Sequence, residues 1–203
     1  MIVTSFWTSG TPYEAEAKEL VATLDKFGLK HDVREYPHPG TWAKAACLFP
    51  LVILETRRRH PDEDIMFLDA DARVTTLPVR LAGLAEEGFD AGLYWLPNSP
   101  RSVTPDKREL CTGTTWWAAT PTADAILEAW FVECRKPETE KLLGVDQEAL
   151  QLLLARFPQA SIFELPPEYC WMDRISEMHY GKREPVIAHG QASRRFRKQV
   201  STP

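Results

Sequence analysis

Two aspartates separated by one residue, Asp69 and Asp71, follow the uninterrupted apolar run Ile65-Met66-Phe67-Leu68. A run without polar alternation suits a strand buried on both faces of a mainly parallel sheet. Such a strand delivers the residues after it to the carboxyl edge of the sheet, where open α/β folds bind ligands. Two carboxylates this close repel each other, so burying them together requires a cation or strong donors. A hard divalent ion, Mg²⁺ or Mn²⁺, meets that requirement with oxygen ligands and commonly engages phosphates at the same time. Alone, an Asp-x-Asp tripeptide serves at least as readily to cap a turn as to hold a metal. Its place behind four apolar residues gives it chemical meaning.

The elements that must position this pair read as an alternating α/β chain. Ile2 to Thr8 is a β-rich run. Thr11-Pro12-Tyr13-Glu14 supplies an N-cap, a proline at the first helical position and a capping-box glutamate. Ala17, Leu20, Val21, Leu24 and Phe27 follow at helical spacing, and Gly28 ends the helix. Leu29 to Tyr36 reads as a second strand. A bend over Pro37 to Gly40 leads into a helical region from Thr41 to about His60, which Pro50 should split or kink. After the acidic pair come an expected helix near Pro78 to Glu87, a strand from Phe89 to Leu96 and a proline-rich, charged segment, Asn98 to Arg108, that reads as a mobile loop. Leu110 to Thr120 reads as a strand or hairpin interrupted by Gly113. Thr120-Pro121 opens an amphipathic helix carrying Ala123, Ile126, Leu127, Trp130, Phe131 and Cys134. Asp146 can cap a helix running to about Phe157. A strand at Ser161 to Leu165, a Pro166-Pro167 turn and a strand at Pro185 to His189 are expected to complete the sheet.

With 203 residues and 44% apolar content, the chain fits one domain with a substantial core. A charged fraction of 26% argues against global disorder, and a net charge of −5 argues against a general nucleic-acid binder. Arg194-Arg195-Phe196-Arg197-Lys198 is the exception, a basic cluster within a tail of about residues 191–203 that could meet a single anion. No run reaches membrane-spanning length, and Met1 leads directly into a core strand, so cytoplasmic residence is expected. Cys47, Cys111, Cys134 and Cys170 form no closely spaced pair of the kind that structural zinc sites use. They read as buried reduced thiols.

Phe67-Leu68-Asp69-Ala70-Asp71 resembles the metal motif of the nucleotide-diphospho-sugar transferases of the GT-A fold, especially relatives of glycosyltransferase family eight. Four further places resemble that family in the expected order. Lys44 precedes the motif in a helical segment, where these families carry a basic residue near the donor. Cys111-Thr112-Gly113-Thr114-Thr115 resembles their Asn-Ser-Gly strand. Asp146-Gln147 resembles their Asp-Gln pair beside the sugar, and Val186-Ile187-Ala188-His189-Gly190 resembles the late strand whose histidine completes the metal shell. The resemblance covers nearly the whole chain. It implies a single α/β domain over 1–203, with a mixed, mostly parallel central sheet flanked by helices. It also implies a metal-dependent hexosyltransferase using a nucleotide-diphosphate sugar, a UDP-sugar in particular, the Asp-Gln pair leaning towards retention at the anomeric carbon.

Several roles follow from that resemblance. Asp69, Asp71 and His189 would hold Mn²⁺ or Mg²⁺, the imidazole favouring Mn²⁺. Thr112 and Gly113 would meet the donor, Asp146 would bond the sugar hydroxyls, and Gln147 would lie near the reacting carbon. The family's lysine six residues after the histidine is Arg195 here, and its glycine three residues after is Ala192. Arginine can bind a diphosphate bidentately. Cys111-Thr112 also departs from Asn-Ser, and Gly113 reads equally as a bulge glycine. The acceptor stays open among saccharide, protein, lipid-linked glycan and nucleic acid.

Other readings compete. Phosphatases of the haloacid-dehalogenase type also place Asp-x-Asp after an apolar strand, but they expect threonine or valine where this chain has Arg73. A sugar-nucleotide pyrophosphorylase would need a glycine-rich, arginine-containing loop within Ile2 to Pro12. A non-catalytic relative that binds a glycan or a protein is the third alternative. Among the aromatics, Trp130 reads as core, and Trp116 and Trp117 must point to opposite faces. Trp95 and Trp171 could wall an acceptor site, while Tyr13 either stacks on a nucleobase or belongs to its helix.

Overall fold

The computed structural model describes residues 1–100, 102, 105–142, 145–192 and 196. A six-stranded sheet in the order β2-β1-β3-β6-β5-β7 forms its centre. The strands are β1 (Ile2–Thr8), β2 (His31–Tyr36), β3 (Ile65–Leu68), β5 (Ala91–Leu96), β6 (Glu109–Trp117) and β7 (Ile162–Glu164). β6 alone runs against the other five, pairing antiparallel with both β3 and β5. The apolar β3 is buried at all four positions, as its lack of alternation requires. This is the mixed, mostly parallel α/β sheet expected from the sequence.

Helices cover both faces. On one side α3 (Phe49–Arg59), α4 (Pro121–Cys134) and α5 (Asp146–Leu154) pack around Phe67, Trp117, Ile126, Trp130 and Leu150. On the other side α1 (Tyr13–Lys26) packs with Met66, Leu68, Trp116 and Leu165. The capping box expected for α1 is not formed: Pro12 holds the N-cap position without a side-chain bond. Thr11 instead donates to the Thr8 carbonyl at 2.6 Å, and Glu14 pairs with Lys18. A cap contributes about 1 kcal/mol, whereas burying Leu20 and Leu24 contributes about 1.5–3 kcal/mol each. Core burial therefore fixes α1 without the cap. Pro50 does divide the helical region, leaving the short α2 (Trp42–Ala46) ahead of α3.

Three expectations need correction. Residues 78–87 form a 3₁₀ turn at Val79–Leu81 and further turns, not a helix, because Pro78, Gly83 and Gly88 interrupt it and both glycines adopt positive φ. The late strand, β8 (Ile187–His189), does not complete the central sheet. It pairs antiparallel with β4 (Ala72–Val74) in a separate two-stranded ribbon. The sequence reading also omitted β4 and α6 (Asp173–Tyr180). Within the segment 98–108, Ser99 is buried and bonded to Glu109 and to the Lys107 carbonyl, so Ser99 and Lys107 are held at the start of β6.

Candidate metal centre

β3 ends at Leu68, and the chain turns at once: the Asp69 amide donates to the Gly113 carbonyl at 2.8 Å, and the Ala72 amide donates to the Asp69 carbonyl at 2.9 Å. That turn leads into β4, whose ladder with β8 sets Ala72 opposite His189. The ribbon thus carries a residue from late in the chain to the end of β3. Asp69, Asp71 and His189 each offer a ligand atom, and these atoms lie within 4.8 Å of one another. The donor set of two carboxylates and an imidazole suits a divalent first-row ion. Gly113 lets the β6 backbone lie against this group: an added Cβ would stand 2.9 Å from Asp69 Oδ2 and 3.2 Å from His189 Nδ1.

The electrostatics match that arrangement. Burial, and then the charge of Asp71, push Asp69 above the usual carboxylate range. Burial would raise Asp71 as well, but His189 and the Ala192 amide outweigh it and hold Asp71 low. Burial disfavours a charged His189, yet the adjoining Cys170 and Asp71 lift it well above the ordinary histidine value. A proton on His189 therefore supplies the positive charge that two neighbouring carboxylates demand. Tyr13 stands close by. Its hydroxyl accepts a hydrogen bond from Trp42, and burial together with Asp69 and Asp71 pushes its pKa up to about 12. Its ring meets Phe196 edge-on at 5.7 Å.

Beside the cluster, Asp146 is buried and accepts from Thr112 Oγ1 at 2.8 Å. Its backbone is fixed by α4, where Trp130 Nε1 donates to the Asp146 carbonyl at 2.9 Å. Val145, just before it, sits at φ 46°, a value that a β-branched residue adopts only under constraint. Asp146 begins α5 and does not cap it from outside, so its carboxylate accepts from its own amide and that of Gln147. Burial pushes its pKa up to about 7; the Thr112 bond opposes that shift, and the charge of Asp69 adds to it. Gln147 Nε2 donates to Glu109 Oε1 at 2.6 Å.

Not every expected residue joins this group. Lys44 is exposed on α2, and its amide caps onto Thr41 Oγ1. Arg195 lies outside the described residues, as does most of the basic tail. Trp116 and Trp117 do point to opposite faces, but both are fully buried in the two cores, so neither faces the site. Trp130 is core as expected, and Trp171 is buried beside β8. Three cysteines are buried, Cys47 is half-buried, and all four are free thiols.

The sequence reading missed three residues here. Arg73 binds the Ala70 and Ala72 carbonyls and reaches Glu16 Oε2 at 2.7 Å, bracing the acidic turn against α1. Thr114 Oγ1 lies 2.9 Å from His189 Nε2. Glu109 is buried between Ser99 and Gln147. Only Arg73 left a signal, an arginine directly behind the motif.

The whole chain superposes on the crystal structure of a glycosyltransferase involved in the glycosylation of the major capsid of PBCV-1. The TM-score is 0.71, with 98% of each chain covered and 12% identity. The chain has a glycosyltransferase fold. No family model and no curated protein matches it. Among the described residues, no helix is long and apolar enough to cross a membrane.

Proposed function

We propose that the protein is a metal-dependent glycosyltransferase that moves a hexose from a nucleotide-diphosphate sugar, by our reading a UDP-sugar, to an acceptor. The observation that carries this reading is the Asp69–Asp71–His189 cluster at the end of β3 in a chain with a glycosyltransferase fold. Expelling a nucleoside diphosphate develops negative charge on the leaving phosphate, and a bound divalent ion stabilises that charge as a Lewis acid. The imidazole ligand favours Mn²⁺ over Mg²⁺.

The remaining roles belong to the chain's own side chains. Asp146, fixed by Thr112 and Trp130, would accept hydrogen bonds from sugar hydroxyls. Gln147, anchored through its amide nitrogen to Glu109, would turn its carbonyl oxygen toward the reacting carbon. Lys44 and Arg195 are proposed to engage the diphosphate, and Tyr13 to border the nucleobase. The Asp-Gln pair, by its resemblance to that of family eight, supports transfer with retention, the acceptor approaching from the face that the diphosphate leaves.

Thermal denaturation with UDP, Mn²⁺ or both tests this reading. Stabilisation by Mn²⁺ that grows when UDP is added is the expected result, followed by slow hydrolysis of one sugar nucleotide in a donor screen. Phosphate release from simple monoesters with no response to UDP would replace the transferase by a phosphatase. In the matching assay, Asp71→Asn and Asp146→Asn should each abolish transfer while leaving the fold intact.

A further inference from the structure

This inference rests on the reading that Asp69, Asp71 and His189 hold a divalent ion, and it concerns how the histidine is prepared for that task. The two ring nitrogens of His189 face different surroundings. Nδ1 lies 3.8 Å from Asp71 Oδ1 and, like Asp69 Oδ2, comes close to Gly113, on the side of the ring where the ligand atoms of the three residues gather. Nε2 lies 2.9 Å from the hydroxyl of Thr114, which is fully buried. A neutral imidazole has one N–H and one lone pair, so only one nitrogen can be a ligand in a given tautomer. In a buried site, the nitrogen that keeps its hydrogen needs an acceptor, or the desolvated N–H costs about 1–3 kcal/mol. Cys170 also adjoins the ring, but a thiol accepts weakly.

We propose that Thr114 is a positioning residue for cation binding: its hydroxyl accepts the Nε2–H of His189 and so leaves the Nδ1 lone pair free to bind the ion between Asp69 and Asp71. The fold makes Thr114 well suited to this. Thr114 pairs directly with Leu68, the last residue of β3, so its hydroxyl and the aspartates that follow Leu68 sit on adjacent strands of one rigid ladder. The ring itself is carried by β8, whose His189 amide donates to the Trp171 carbonyl at 2.8 Å. Thr114 therefore joins the main sheet to the ribbon at the ligand itself.

The test titrates the full chain with Mn²⁺, reading free ion by electron paramagnetic resonance and bound nitrogen by electron spin-echo modulation. Partners that orient a ligating histidine are typically worth about 10–100-fold in metal affinity, so Thr114→Val should weaken Mn²⁺ binding at least tenfold. It should also lose the directly bound nitrogen signal, whereas Thr114→Ser should keep both. Thr114→Ala serves if the valine variant does not fold, with the melting temperature of metal-free protein as the check. Unchanged affinity and nitrogen signal in a folded Thr114→Val or Thr114→Ala protein would overturn the proposal. Tight binding by the unmodified chain without a nitrogen signal would overturn it too, by removing His189 as a ligand. No Mn²⁺ binding at all would instead defeat the metal-dependent reading on which it rests.

Discussion

A methyl group at position 113 has no room: its carbon would stand 2.9 Å from Asp69 Oδ2 and 3.0 Å from His189 Cε1. Overpacking of this kind costs about 1–3 kcal/mol. Gly113→Ala is therefore expected to weaken Mn²⁺ binding by about tenfold or more, as measured by calorimetric titration. An unchanged affinity would mean that the ion does not sit beside Gly113. Protons set a second expectation. The environment of His189 favours its protonated form, and a ligand must lose its proton to bind metal. Apparent Mn²⁺ affinity should therefore rise with pH through the neutral range, and a flat profile would remove His189 from the ligand set. Asp146 gives the third. Its pKa is about 7 in the folded chain against a reference of 3.8, so the folded state keeps a proton that the unfolded state sheds. The Asp146 contribution to stability is therefore full below about pH 4, falls as pH rises, and is lost above pH 7, a difference on the order of 4 kcal/mol. Asp146→Asn should then melt higher than the unmodified protein at pH 8 but not at pH 4. Equal melting temperatures at pH 8 would show that Asp146 carries no such burden.

Between residues and fold stand the short elements, and here the sequence was least informative. The apolar pattern of β3 and the spacing of α4 are strong because each buries a long continuous face. β4 and β8 have three residues each, too few for a period to show, and what defines them is their pairing with each other. Gly113 illustrates the same limit. The register between β5 and β6 shifts there, with Leu93 opposite Thr115 but Tyr94 opposite Cys111, so Leu110 and Trp117 reach the same core despite their odd spacing. The sequence allowed a bulge at Gly113, but the closeness of Asp69 and His189 is a tertiary fact. The acidic pair was legible because strand burial and charge coincide in one heptapeptide, whereas the parts of Arg73 and Thr114 depend on partners distant in the chain. Arg73 supports an expectation at this scale. Its bonds to Glu16 and to the carbonyls around Ala70 brace the acidic turn, and hydrogen bonds to charged groups contribute about 1.5–3 kcal/mol. Arg73→Met should lower stability in urea denaturation by that order, and unaltered unfolding would show that α1 does not brace the turn.

At the scale of the whole molecule, the order of strands decides where a ligand can lie. Five strands run one way, and β6 returns between β3 and β5, so the end of β3 meets the middle of a neighbour rather than open solvent. Asp69, Thr112, Gly113 and Asp146 come together there because α5 packs across β6, with Gln151 bonding the Leu110 amide and the Arg108 carbonyl. The alternation of strands and helices could be read from apolar runs and helical spacing, whereas the strand order, the return of β6 and the diversion of β8 out of the main sheet could not. A ligand held at that junction should stabilise the entire cooperative unit. At a hundredfold excess over its dissociation constant, it adds about 2.7 kcal/mol, which for a chain of this size is a rise of roughly 5–10 °C in Tm. A smaller response at that excess would mean that the chain does not unfold as one cooperative unit.

The pairing of β4 with β8 ties the middle of the polypeptide to a stretch more than a hundred positions later, on a strip only three rungs long. The bonds of Thr75 to Val186 and of Gly190 to Asp71 close its two ends, and whatever draws Asp71 and His189 together helps to keep it shut. Occupancy at one small cluster would thereby govern how firmly the late segment of the chain is fastened to the rest, and a protease could read that fastening as a change in how fast it cuts.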